Sequence, residues 1–316
     1  MNDKGASQSD PQHRDADAQD LLGMSLPART RRLLDLYDLR PRKSLSQNFL
    51  VDAAAADALA QAVGQHCGPD AMVVEIGAGL GALTVPLAEL GRAVAAFETD
   101  PRLIPPLQLL TAQFPNVRII HADITEQDLA GFAAGRQLAA VGNLPYHLTG
   151  LLLRALMEVG YCCDVIVVTV QAEVADRVTA APGEEQYGML SVFAHYYLEL
   201  IETPRRLGPS AFVPRPDVDS VALILHPLPN PAENAGGLNR RQEQALFSTI
   251  KAAFAHRRKT LRNSLAASAH LDMAKDGLDG ALAAAGIDGG RRGEELGIED
   301  FVRLALAVDE AQQGRA

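Results

Sequence analysis

The run Val141-Gly142-Asn143-Leu144-Pro145-Tyr146 carries the groups that a sluggish nucleophile needs. An aromatic exocyclic amine has its lone pair delocalised into the ring and attacks poorly. The Asn143 side-chain carbonyl and the Leu144 backbone carbonyl can each accept one of its N–H bonds. That draws the nitrogen toward a tetrahedral shape and aims its lone pair at an electrophilic carbon. Pro145 donates no N–H and stiffens the turn. Tyr146 can stack on the flat base, a contact worth ~1–3 kcal/mol in nucleic-acid complexes. No general base is required, because the amine sheds its proton readily once alkylated. The plain alternative is a rigid turn with a core tyrosine.

A second set of residues suits a nucleoside ligand. In Val74-Glu75-Ile76-Gly77-Ala78-Gly79-Leu80-Gly81 a strand-like run meets Gly77, Gly79 and Gly81. Glycines serve where the chain turns sharply and a ligand lies against bare backbone, although a strand-to-helix turn without a ligand reads the same way. Ala82 stands where a dinucleotide fingerprint has its last glycine, which argues against a pyrophosphate. Glu98 follows Gly77 by 21 residues, close to the ~20 at which a carboxylate accepts ribose hydroxyls, with Thr99 beside it. In His121-Ala122-Asp123-Ile124, Asp123 either accepts adenine's amino hydrogens with Ile124 packed on the ring, or caps a helix ahead of Glu126. Glu75 reads as a structural carboxylate for the glycine loop, with contact to a cofactor amino group left open. S-adenosylmethionine joins a ribose, an adenine and an electrophilic carbon in one ligand.

These residues need elements to carry them. Apolar runs at 72–76, 93–97, 117–120, 138–141 and 164–170 read as buried strands, and 83–90, 103–114, 148–159 and 171–180 carry helix-period apolar positions. Strand alternating with helix predicts an α/β fold, a doubly wound and mostly parallel sheet of Rossmann-like kind. Two later runs, Tyr196–Ile201 and Ser220–Leu225, suggest an antiparallel pair that closes it as a seven-stranded sheet. The predicted organisation is a disordered acidic tail over 1–20, an α/β domain over 21–230, a linker rich in Pro, Asn and Gly, and a small all-α domain over 236–316.

Of the 316 residues, 29 are Lys or Arg and 39 Asp or Glu, a formal charge of -10 that argues against simple electrostatic capture of nucleic acid. Positive charge is nevertheless concentrated in two places. One is Arg29, Arg31, Arg32, Arg40, Arg42 and Lys43; the other is Arg257, Arg258, Lys259 and Arg262. If 250–265 were one straight helix, Arg257 would share the apolar face of Ile250, Phe254, Leu261 and Leu265, so either the helix breaks near His256 or Arg257 is partly buried. Arg258, Lys259 and Arg262 point elsewhere and are candidates for phosphate contact, as are Arg42 and Lys43. The eight histidines show no ligand spacing, which predicts no metal. Three cysteines suit packing in a reducing compartment. No stretch reads as a signal peptide or a membrane span, so a cytoplasmic location and no membrane partner are expected.

Asn143-Leu144-Pro145-Tyr146 after Glu75-Ile76-Gly77-Ala78-Gly79 resembles the ribosomal RNA adenine N6-dimethyltransferases. Lys43-Ser44-Leu45-Ser46-Gln47-Asn48-Phe49-Leu50 is similar to that family's upstream motif, and Phe212-x-Pro214-x-Pro216-x-Val218-x-Ser220 follows a downstream one. The stretch Phe254 to Leu265 resembles the bacterial members acting on small-subunit RNA rather than the resistance enzymes acting on the large subunit. The resemblance implies a methyltransferase sheet, S-adenosylmethionine as cofactor, and two adjacent adenines in a hairpin loop near the 3′ end of 16S ribosomal RNA, met in an immature 30S subunit by a monomer. It further implies that Gln47, Asn48 and Leu50 lie at the cofactor, and that Phe212 faces Tyr146 as a second aromatic wall. Ser46 departs from the family's glycine and His147 from its usual asparagine; Ala172, Glu185 and Met189 stand where basic residues are frequent. A non-catalytic RNA-binding factor on the same fold is the rival of another class, and would be expected to have eroded the glycine loop or Asn143–Tyr146.

Overall fold

The computed structural model describes residues 18–313 apart from Ala134, Arg257 and Asp272. Most of the stretch expected to be disordered, together with the question of Arg257's burial, lies outside the described residues. Residues 18–20 correct that expectation, because they open a helical turn that runs to Leu22. Leu21 anchors the turn by packing into a cluster with Leu33, Phe49 and Leu80.

Seven strands form the main sheet: β2 (Met72–Ile76), β3 (Val94–Glu98), β4 (Val117–His121), β5 (Leu138–Asn143), β6 (Cys163–Gln171), β7 (Leu198–Leu207) and β9 (Ser220–Pro227). Their spatial order is β4-β3-β2-β5-β6-β9-β7. Strands β2 to β6 pair in parallel, and β9 runs antiparallel to β6. Two short strands, β1 (Phe49–Leu50) and β8 (Phe212–Val213), form a separate antiparallel pair. β2 and β3 are buried over their whole length, as expected of parallel strands covered on both faces. The chain winds outward from β2 to β4 and then crosses back to lay β5 beside β2. That reversal is the switch point of a doubly wound sheet, where ligands bind at the carboxyl ends of strands.

The chain divides into two compact units. One is the chain up to Ala172 together with Glu202–His226; the other is Glu173–Ile201 together with the residues from Pro227 onward. This differs from the continuous 21–230 domain read from the sequence, since Glu173–Ile201 joins the helical unit. In the first unit, the helix Ala53–His66 packs Ala55, Leu59 and Val63 into one cluster with Val165, Val167, Leu207, Ala222 and Ile224 of the sheet.

In the second unit, Tyr196 and Tyr197 close the helix Met189–Tyr197 and do not begin a strand. Packing overrides the β preference of the tyrosines. Their rings lie 5.4 and 5.9 Å from Phe247, and Tyr196 donates to Glu243 Oε1 at 2.7 Å. β7 therefore starts at Leu198 and takes in Pro204, which an edge strand tolerates. The 250–265 stretch is broken: one helix ends at Phe254 and the next runs Leu261–Ala267, so Ile250, Leu261 and Leu265 are buried from two separate helices.

Candidate active site

A cavity of about 290 Å3 opens over the carboxyl ends of β2, β3, β4 and β5 in the first unit. Of the expected site residues it is lined by Gln47, Asn48, Leu50, Glu75, Gly77, Gly79, Glu98, Thr99, Asp123, Ile124, Asn143, Leu144, Pro145 and Tyr146. Two are not brought there. Gly81 has a positive φ of 75°, and a Cβ on it would meet Leu110 Cδ2 at 2.7 Å, so its demand for glycine comes from its backbone conformation and from packing against the helix Ile104–Thr111. Phe212 is 1 % exposed within the cluster that holds Leu50, its partner in the β1–β8 pair. It stands in the core and not as a wall of the cavity.

The glycine loop is held from the neighbouring strand. Gly77 and Gly79 take φ of 70° and 57°, a region that side chains rarely adopt. The Gly77 and Ala78 N–H groups both donate to Phe97 O at 2.9 Å. Glu98 accepts from Gly79 N and from Asp100 N, each at 2.8 Å. Each carboxylate oxygen keeps a second lone pair for another donor. Burial pushes the Glu98 carboxyl up while these backbone bonds pull it down, and the net direction is upward.

Glu75 is buried and accepts from Thr84 Oγ1 at 2.7 Å. Burial outweighs that bond, and with the repulsion of Glu98 it raises the Glu75 carboxyl to about 7. Asp123 makes the cap that one of its two readings expected, and it also faces the cavity. Its Oδ1 accepts from Thr125 N and Thr125 Oγ1 at 2.9 and 2.7 Å, capping a 3-10 turn at Ile124–Glu126.

The Asn143 amide is fixed at both ends. Its Nδ2 donates to Asn48 O at 2.8 Å, and its Oδ1 accepts from Thr169 Oγ1 at 2.6 Å. Because one partner is a carbonyl and the other a hydroxyl whose proton points at Oδ1, the amide has one orientation. Thr169 lies opposite Asn143 in the β5–β6 register and is fully buried. Its own carbonyl accepts from Leu144 N at 3.1 Å, so one residue positions both acceptors of the turn. Sequence reasoning missed Thr169, since only the strand register brings it to the site.

Further along, Pro145 O accepts from Leu148 N and Thr149 Oγ1, both at 3.0 Å. The Tyr146 hydroxyl hydrogen-bonds Ser220 Oγ at 2.9 Å, which sets the plane of its half-buried ring. The upstream loop is latched over the cavity: Gln47 donates to Asp100 Oδ2 at 2.9 Å and accepts from Arg42 N at 2.8 Å. Burial alone would raise the Asp100 carboxyl, but hydrogen bonds from Arg102 and Gln47 hold it at about 2. Ser46 sits in the left-handed region at φ 47°, and its hydroxyl meets His147 Nδ1 at 3.1 Å.

Of the basic candidates, Arg42, Lys43, Arg258 and Lys259 are exposed. Arg262 donates twice to Asp279, at 2.5 and 2.6 Å, so its charge is already paired. Arg29, within the first basic stripe, is 7 % exposed, and burial lowers the pKa of its guanidinium.

A parallel sheet with a glycine turn after β2, a carboxylate after β3 and an amide–proline–aromatic turn after β5 defines a nucleoside-dependent transferase of the methyltransferase class. Comparison with known proteins specifies it. The ribosomal RNA adenine dimethylase family matches residues 39–307. The "Ribosomal RNA small subunit methyltransferase A" of Shouchella clausii is 40% identical over 293 residues, covering 90% of this chain and 95% of its own; the one from Bacillus mycoides is 37% identical over 291 residues, covering 90% and 97%. Among solved structures, a dimethyladenosine transferase from Plasmodium falciparum superposes with a TM-score of 0.67 at 21% identity, covering 84% of this chain and 98% of its own. The 23S rRNA methyltransferase ErmE does so with a TM-score of 0.61 at 26% identity, covering 83% and 100%. The chain belongs to the ribosomal RNA adenine dimethylase family and is a methyltransferase that dimethylates adenine in ribosomal RNA.

Proposed function

We propose that this chain uses S-adenosylmethionine to dimethylate N6 of two adjacent adenines in a hairpin loop near the 3′ end of small-subunit ribosomal RNA, acting as a monomer on an immature subunit in the cytoplasm. The observation that carries the reading is the cavity lining, which holds the carboxyl groups of Glu75, Glu98 and Asp123 and no Lys or Arg among the described residues. Such a lining disfavours a phosphate-bearing cofactor and suits a nucleoside that carries a positive sulfonium.

The residues fit that group. Glu98 accepts ribose hydroxyls on its spare lone pairs, Asp123 accepts the adenine amino group, and the apolar Ile124 packs on the ring. Gln47, Asn48 and Leu50 close over it, with Thr99 at the rim. When bound, S-adenosylmethionine supplies an electrophilic methyl group. Asn143 Oδ1 and the Leu144 carbonyl each accept an N–H of the target amine and direct its lone pair. Tyr146 stacks on the target base, and Pro145 keeps the turn rigid. Arg42, Lys43, Arg258 and Lys259 meet phosphates; the paired Arg262 contributes less.

The test is mass mapping of methyladenosines on separated, unmethylated ribosomal subunits. Dimethylation confined to the small subunit is expected, and methylation of the large subunit would overturn the reading. In the same assay Asn143→Ala abolishes transfer with cofactor affinity nearly unchanged. Thr169→Val lowers kcat about tenfold, the equivalent of ~1.4 kcal/mol, without raising KM. Full turnover by Asn143→Ala would remove the amide from the mechanism.

A further inference from the structure

Far from Asn143 in sequence and outside the cavity lining, three metal-ligating side chains converge in the first unit. His66 is the last residue of the helix Ala53–His66, Glu202 stands on β7, and His226 on β9. One ligand atom from each lies within 4.8 Å of the other two. His226 Nε2 and Glu202 Oε1 are 2.8 Å apart, and the rings of His66 and His226 meet edge to face with centroids 4.9 Å apart. We propose that His66, Glu202 and His226 form a binding site for a zinc-like divalent cation, with two imidazole nitrogens and one carboxylate oxygen as ligands and solvent in the fourth position.

The donor set and the scaffold carry the argument. Two imidazoles and a carboxylate suit Zn2+, which is borderline soft, whereas Mg2+ and Ca2+ prefer all-oxygen shells. With metal–ligand bonds of about 2.0–2.1 Å, a tetrahedral site needs ligand atoms ~3.3 Å apart. The three ligand atoms, now within 4.8 Å of one another, would draw together by side-chain rotation. The supporting backbone is firm, because Ala62 and Val63 of the helix, Leu207 of β7, and Ala222 and Ile224 of β9 share one buried cluster. His66 is exposed and His226 and Glu202 half-buried, so a cation reaches the site from solvent.

Coordination replaces the His226–Glu202 hydrogen bond. The proton on Nε2 moves to Nδ1, or to solvent if the ring was cationic, and the freed lone pair binds the metal. The ion then clamps the end of the helix to the edge of the sheet. No histidine spacing along the chain announces this cluster, because its members are brought together from three separate elements.

The experiment is equilibrium dialysis of the untagged full-length chain against Zn2+, with thermal melts, and with Mg2+ as control. One Zn2+ per chain at micromolar concentration is expected, with a raised Tm and no response to Mg2+. His66→Ala, Glu202→Gln and His226→Gln should each weaken binding at least tenfold and erase the Tm shift, while methyl transfer stays at the wild-type rate. Zinc uptake that is undetectable in the wild type at 100 µM, or equal in the wild type and all three variants, would overturn the site. His66→Ala alone decides the matter if either other variant folds poorly, because that side chain is exposed at a helix end.

Discussion

At the scale of single residues, the chemistry concentrates in two buried groups. Glu75 holds a proton up to about pH 7 that the unfolded chain releases near pH 4.5. The native state therefore binds more protons across that window, and stability falls as pH rises from about 4.5 to 7, then levels off. Glu75→Gln, which still accepts from Thr84, should flatten most of this slope and gain up to about 3 kcal/mol at neutral pH; thermal melts across the range check it. Glu98 keeps a smaller slope of the same sign in the variant. Thr169 shows what residue types alone conceal. The order Asn143, Leu144, Pro145, Tyr146 is chemically pointed in the sequence itself, whereas Thr169 is one apolar-compatible residue in a buried strand. Its role exists only through the β5–β6 register.

At the scale of elements, the strand ends were readable because the ligand-type residues fall where apolar runs stop. Boundaries were less so where packing, not periodicity, decides. The aromatic contacts of Phe247 hold Tyr196 and Tyr197 in a helix, and Leu110 together with a positive φ dictates Gly81. The loop from Arg42 to Leu50 carries the sharpest local feature. Two of the departures from the family pattern, Ser46 in this loop and His147 after the Asn143–Tyr146 turn, touch each other. A serine in the left-handed region costs roughly 1 kcal/mol, and the bond to His147 offsets part of that cost. Ser46→Gly and His147→Ala should thus be non-additive in the KM for cofactor, with a coupling of ~0.5–1 kcal/mol by double-mutant cycle. Strict additivity would show the contact to be idle.

At the scale of the whole molecule, a net charge of -10 and an RNA substrate are reconciled by position. The cavity lining holds Glu75, Glu98 and Asp123 and no Lys or Arg among the described residues, while the exposed Arg42, Lys43, Arg258 and Lys259 lie elsewhere on the two units. With these four as the phosphate contacts, affinity for naked RNA should fall with salt at a slope of about -3 to -4 in log–log titration. Tight binding to arbitrary RNA at high salt would contradict this. Dimethylation adds a demand of its own, because each adenine needs two successive transfers and the spent cofactor must leave between them. The loop that covers the cavity also supplies Asn48 O, one of the two anchors of the Asn143 amide. Were that loop to lift, the Asn143 amide would keep Thr169 alone. Cover and amide thus share one hydrogen bond, so a substitution that loosens the loop should loosen the Asn143 amide as well.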